Sequence, residues 1–237
     1  RLVGSEMCIR DRAWLLLFAL VNTALHYLFS YVGLGYLPSS RSTILDSMNG
    51  FFAIILSCII FEDDKFSKFK ALGCILGFSG ILLINIEPGQ NFFQGISFRG
   101  DGMILLNAMC GAFGGIITRI ISKKMDMTVA TSLSMTIGGA FLCVVSAIIG
   151  PAARWTITTE SIIIMIGLIL ISAVCFGVYN QLLAYHPISK IAIFNAFIPI
   201  LGVIFSSIIL GEPMRVKYII AGCMVALGVY VMNHFSK

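Results

Sequence analysis

Tyr36-Leu37-Pro38-Ser39-Ser40-Arg41 recurs 149 residues later as Tyr185-His186-Pro187-Ile188-Ser189-Lys190. Both copies read Tyr-x-Pro-x-Ser-basic. The same shift places Ser57, Ile59 and Ile60 on Ser206, Ile208 and Ile209, Lys68 on Lys217, and Gly73-Cys74 on Gly222-Cys223. In a chain this apolar, such a repeat predicts a membrane protein assembled from two copies of one helical unit.

Composition points the same way. Of 237 residues, 58% are hydrophobic and 11% charged, and the mean hydropathy is +0.97. A soluble domain carries about 25% charged residues. A chain with less than half that share lacks the polar surface to cover itself in water. The net charge of +5 is spread over short loops and forms no basic stripe, which excludes nucleic acid as a partner. Seven cysteines are present, none in a C-x-x-C pair and all but Cys8 inside apolar runs. They read as small packing residues, with no disulfide framework or zinc site.

Residues 1–12, RLVGSEMCIRDR, resemble translated adaptor read-through and are set aside from fold reasoning as a non-native artefact. Beyond them, eight apolar runs reach the roughly 20 residues that cross a bilayer. They lie at 13–36, 42–61, 69–87, 102–122, 128–150, 161–185, 189–210 and 217–234. Turn or charge signals join them: Pro38-Ser39-Ser40, Glu62-Asp63-Asp64-Lys65, Pro88-Gly89-Gln90-Asn91, Lys123-Lys124, Gly150-Pro151, Pro187 and Gly211-Glu212-Pro213. The runs are too long and too uniformly apolar for barrel strands, so the expected fold class is an all-α membrane protein.

Lys65, Lys68, Lys70, Arg119, Lys123, Lys124, Lys190 and Lys237 fall on one side of this topology. Arg41, Arg99, Arg154, Arg215 and Lys217 fall on the other. The excess places both termini in the cytoplasm. Under the 149 shift, run one matches run six. An odd number of crossings separates equivalents, so the copies are expected to be inverted relative to one another. Residues 102–237 then form a complete five-helix repeat. Residues 13–87 form three helices of a first repeat that lacks its initial two.

The residues that carry this organisation resemble a known family. Gly33-Leu34-x-Tyr36 leading into Ser40-Arg41 is similar to the drug/metabolite transporter superfamily of the EamA type. So is Phe194-x-x-x-Ile198-Pro199, followed by Leu210-Gly211-Glu212 and a Gly-rich last helix. The resemblance spans residues 13–237. In the first repeat, Gly50 and Glu62-Asp63 stand where the second has Pro199 and Gly211-Glu212. What the resemblance implies is a ten-helix, 5+5 inverted-repeat transporter in a bacterial inner membrane. It would move amino acid-like or drug-like solutes by proton coupling or exchange, and a homodimer is compatible with the class. No basic intramembrane pair for a phosphate substrate stands out.

Polar residues inside apolar runs are costly and mark candidate pathway positions. Asn22 and His26 share one face of run one, and Asp46 and Asn49 one face of run two. Asn107 lies in run four, Asn180 and Gln181 in run six, and Asn195 in run seven one turn before Pro199. Asp46 is the acid set well inside a run. It reads either as a proton-exchanging group in a central cavity, with His26 as relay or partner, or as a structural residue that caps the second helix or bonds Ser42 and Thr43 near the interface. Each amide reads as a solute contact or as interhelical glue worth about 0.6 kcal/mol. Pro199 frees the carbonyl of Asn195 and reads as a hinge or as a tolerated kink.

Arg41 and Lys190 are expected to snorkel to headgroups. Trp14, Trp155 and Tyr218 are expected in an aromatic belt. The pairs Gly73/Gly77, Gly111/Gly115 and Gly222/Ala226 read as close helix contacts. No Walker loop, nucleophile elbow or metal spacing appears, so neither an enzyme nor a cofactor is expected. The leading expectation is a secondary transporter for a small organic solute, acting by alternating access in the lipid bilayer. The alternative is a non-transporting interaction or assembly subunit on the same fold.

Overall fold

The computed structural model describes residues 9–60, 67–85, 96–149, 158–186, 197–213 and 215–234. Among them every regular element is helical. Helix α1 (Ile9–Phe18) runs through a π segment (Ala19–Leu25) into α2 (His26–Leu34). Then come α3 (Ser39–Asp46), α4 (Met48–Ile60) and α5 (Lys68–Asn85). A second π segment (Phe98–Gly102) opens α6 (Met103–Ile121). Helices α7 (Met127–Ile149), α8 (Thr159–Tyr185), α9 (Ile198–Leu210) and α10 (Val216–His234) follow.

Five stretches among the described residues are long and apolar enough to cross a membrane: Arg12–Leu34, Ser39–Ile60, Phe98–Ile121, Met127–Ile149 and Thr159–Tyr185. The last has a mean hydropathy of 2.8 and none of its most apolar window is buried. A helix that apolar and that exposed needs an apolar solvent around it.

Local chemistry explains the helix ends. Asp126 precedes α7, and its Oδ1 accepts the Thr128 N–H at 2.7 Å and the Val129 N–H at 3.4 Å. The backbone bond from Thr128 holds this carboxyl below its usual range. At α8, Ser161 Oγ takes the Thr158 N–H, and Thr158 Oγ1 takes the Ser161 N–H. Gly211 ends α9 in the left-handed conformation at φ 66°. Nothing lies within 4 Å of where its Cβ would be. Gly211→Ala is therefore expected to cost only the backbone penalty, about 1–2 kcal/mol, read as a shift in the unfolding midpoint.

The chain forms two compact units. The first comprises the chain up to Ala24 together with Ile117–Tyr185. Its core gathers Leu15, Phe18, Ile117, Ile121, Met127 and Ala130. The π segment approaches α7 so closely that a Cβ on Gly138 would meet Thr23 Cβ at 2.6 Å. The Thr23 and Ser134 hydroxyls bond there at 2.8 Å.

The second unit comprises Leu25–Ile116 and His186–Lys237. Its core is built on Ile44, Leu45, Met48, Phe51, Ile104, Val225 and Val229. Here α5 and α10, which the 149 shift makes equivalent, lie side by side. A Cβ on Gly228 would meet the Gly73 carbonyl, and one on Gly80 would meet the Ala221 carbonyl. Residue order runs oppositely along the two helices, so they pack antiparallel. α3 and α9, which the shift does not make equivalent, also pack antiparallel: Gly202 lies against Thr43, while Glu212 just beyond α9 reaches Ser39 and Ser40.

Several sequence expectations change. Run two is not one helix: Ser47 separates α3 from α4. Its hydroxyl bonds back to the Thr43 carbonyl at 2.8 Å, a contact that bends helices. Pro199 sits in the first turn of α9, where a missing N–H costs nothing, so it marks a helix start. Asn195, whose carbonyl a mid-helix proline would free, lies outside the described residues. Arg41 does not snorkel, because Asp101 binds it at 2.6 Å. Tyr218 is buried in the core of the second unit and does not form a belt. Lys70 sits in the first turn of α5, buried, with Nζ 3.2 Å from Cys58 Sγ. Trp155 and Lys190 lie outside the described residues.

Candidate functional site

Three of the polar residues singled out in the sequence meet in the second unit. Asp46 is the last residue of α3, so its carboxylate stands where the helix breaks. Asn107, from the first half of α6, donates its amide N–H to Asp46 Oδ1 at 2.6 Å. His26, at the start of α2, lies with Nδ1 3.3 Å from the Asn107 carbonyl oxygen. A carbonyl only accepts, so this ring nitrogen carries the proton. His26 and Asp46 are within electrostatic reach of each other. Asp46 is thus no N-cap, and its partner is Asn107 rather than Ser42 or Thr43.

A recess of about 130 Å³ opens at this group, lined by Ser30, Leu34, Ser42, Thr43, Asp46, Ile104 and Asn107. Two buried polar atoms of that lining, Ser42 Oγ and Asn107 Oδ1, have no hydrogen-bond partner. Both residues are only 3% exposed. A buried polar atom without a partner costs about 1–3 kcal/mol. A solute or water that brings a donor to Asn107 and a partner to Ser42 would offset that cost. The recess therefore combines a carboxyl group, an amide oxygen and a hydroxyl inside an apolar bundle. It can hold a small polar group.

The other predicted positions are placed as follows. Asn49 packs on α6, where a Cβ on Gly111 would meet its Nδ2 at 2.6 Å. Pro199 is buried, and its carbonyl carbon would lie 3.8 Å from a Cβ on Gly222. Asn22, Asn180 and Gln181 belong to the first unit. There Asn22 is buried in the π segment, Asn180 donates to Thr131 Oγ1 at 3.1 Å, and Gln181 donates to Thr128 Oγ1 at 2.6 Å. Among the described residues no group of three or more His, Cys, Asp or Glu could hold a metal ion.

Sequence reasoning missed a second polar group nearby. Pro38 precedes α3 and offers no side-chain cap. Glu212 supplies one from the α9–α10 turn: Oε1 accepts the Ser39 N–H at 2.7 Å, and Oε2 accepts the Ser40 N–H at 3.1 Å and the Ser40 hydroxyl at 2.7 Å. Burial pushes this carboxyl up. The Ser206 hydroxyl nearby and the bonds from Ser40 and Ser39 outweigh it and hold the carboxyl below its usual range. The cap is therefore in place at neutral pH and is lost only in acid, as pH falls through the lowered value. Arg41, in the first turn of α3, donates Nε to Asp101 Oδ1 at 2.8 Å. Asp101 Oδ2 takes the Ser97 N–H at 2.8 Å. The available signals were a helix start at Pro38 without its own cap and an acid beside a helix end.

Helices of spanning length, one of them broken beside a half-buried acid at a polar recess, are features of a membrane protein. Comparison with known proteins gives the family. The chain matches the EamA-like transporter family over residues 4–86 and 98–234, and it belongs to that family. It is 26% identical over 224 residues to the uncharacterized transporter YvbV of Bacillus subtilis, covering 94% of this chain and 72% of that protein. It is 25% identical over 230 residues to a WAT1-related chloroplastic protein of Arabidopsis thaliana, covering 93% of this chain and 55% of that one. An uncharacterized transporter of Methanothermobacter thermautotrophicus is 24% identical over 233 residues, with 96% and 66% covered. The chain thus spans from just over half to under three-quarters of these relatives' lengths. A solved crystal structure at 11% identity superposes with a TM-score of 0.66, covering 95% of this chain and 77% of that one. At that identity the likeness concerns the fold. Family and relatives' names point to transport across a membrane, rather than to catalysis, for this drug/metabolite-type chain.

Proposed function

We propose that the chain is part of a secondary transporter that moves a small organic solute by alternating access, with the Asp46–Asn107–His26 recess on the solute path. The observation that carries this reading is the recess itself: a carboxylate and two unpartnered buried polar atoms at a helix break inside an apolar bundle. The antiparallel contact of α5 with α10 supports inverted repeats. A two-fold axis in the membrane plane brings equivalent helices together antiparallel, whereas an axis along the normal leaves them parallel. Eight spans, cytoplasmic termini and a bacterial inner membrane complete the reading. Asp46 couples solute movement to protons, with His26 on the same proton path, because the two titratable side chains meet through Asn107 at the recess.

A transport assay over a panel of amino acids and amphipathic metabolites, in vesicles carrying the chain, tests this. Accumulation above empty vesicles, varying with pH, is expected. Asp46→Asn is expected to leave a residual, pH-independent flux. A pH profile identical to that of the parent would end the proton-coupling part. No flux for any solute would favour a non-transporting assembly subunit.

A further inference from the structure

Three chain segments meet at the start of α3. The α9–α10 turn brings Glu212 to the Ser39 and Ser40 amides and the Ser40 hydroxyl. The π segment before α6 brings Asp101 to Arg41. The next residues of α3, Ser42 and Thr43, line the recess, and Asp46 follows one turn later. α3 is only eight residues long. It is bounded by Pro38 at one end and by the Ser47 break at the other, so it is a short rod between two points where the helical ladder is interrupted.

We propose that Glu212–Ser39/Ser40 and Arg41–Asp101 form a gate that closes the recess at the N-terminal end of α3. The inference rests on the reading of the recess as a solute path. Three features separate a gate from a static brace. The ties are polar and sit at the ends of elements, where water replaces each bond when the elements part. They act on the short rod that supplies Ser42, Thr43 and Asp46 to the recess lining. Finally, the unpartnered Ser42 and Asn107 atoms behind them gain partners when water or solute is admitted. Opening would exchange clasp bonds for bonds to water and so lies within reach of a solute's binding energy.

Labelling of a recess cysteine by a membrane-impermeant maleimide tests the gate. Ser42→Cys in the whole chain is reconstituted in vesicles and modified, and the peptide carrying position 42 is quantified by mass spectrometry. Glu212→Gln and Asp101→Asn keep side-chain size and remove the charge. Each is expected to speed modification about tenfold. A second probe, Ser30→Cys on α2, should show the same acceleration and guards against a local effect of Ser42→Cys. Rates within about twofold of the intact clasp at both probes, with a lowered unfolding midpoint, would overturn the gate and leave a structural brace. Because labelling needs no transport, that outcome leaves the transporter reading standing. Absence of flux from the intact chain, with accelerated labelling in the clasp variants, would instead strike that reading alone.

Discussion

Asp101→Ala is expected to destabilise the protein by on the order of 3 kcal/mol, roughly a 150-fold change in the folded-to-unfolded ratio. The carboxylate accepts from Arg41 Nε and Nη2 and from the Ser97 N–H. It is buried: the side chains of Arg41 and Asp101 are 14% and 3% exposed. Exposed pairs contribute about 0–1 kcal/mol because water competes and salt screens. Truncating one partner of a buried pair costs far more, since the desolvation penalty of the other remains. The measurement is the unfolding midpoint in a denaturing-detergent titration. A loss below about 1 kcal/mol would return the pair to the surface class. Combining Asp101→Ala with Arg41→Ala should cost less than the sum of the single losses, because both changes remove the same bonds. The size of this effect does not conflict with gating. Truncation leaves a charge facing protein, whereas opening leaves both ions facing water.

What the sequence made legible follows from the bilayer. Hydrocarbon solvates neither peptide groups nor charges, so apolar runs such as 128–150 and 161–185 have to be helices. Asp46, Asn107 and His26 stood out for the same reason. That Asp46 and Asn107 would meet could not be read, because they are 61 residues apart and the contact depends on how α3 packs against α6. Asp101 escaped notice, and Glu212 was read only as part of a helix-end motif, because both lie in connectors, where an acid is ordinarily solvated. Only the fold shows that they turn inward onto the start of α3. The break at Ser47 was hidden too. A serine in an apolar run reads as tolerated, and its back-bond to Thr43 appears only in the structure. The 149 shift foretold which helices are equivalent. It left open that Gly228, rather than the Gly222/Ala226 pair, sits at the crossing.

That crossing gives the second large effect. Gly228→Val is expected to destabilise by about 3 kcal/mol, the upper end of the overpacking range. In lipid, helices are not driven together by water exclusion, so close van der Waals contact carries the association. At Gly228 the contact is between backbones: a Cβ would stand 2.6 Å from the Gly73 oxygen and 3.0 Å from the Gly77 nitrogen, with the Phe51 ring at 3.1 Å. Backbone cannot rotate aside as a side chain can, so α5 and α10 have to separate and every contact along the crossing weakens. Gly167 in α8 supplies the opposite case, because nothing lies within 4 Å of its Cβ position. There Gly→Ala is expected to stabilise by up to about 1 kcal/mol through helix propensity alone. Unfolding midpoints of Gly228→Val, Gly228→Ala and Gly167→Ala should therefore fall most, fall less and rise, in that order. If Gly228→Ala behaves like Gly167→Ala, the two helices do not touch as described, and the antiparallel contact loses its weight as support for inverted repeats.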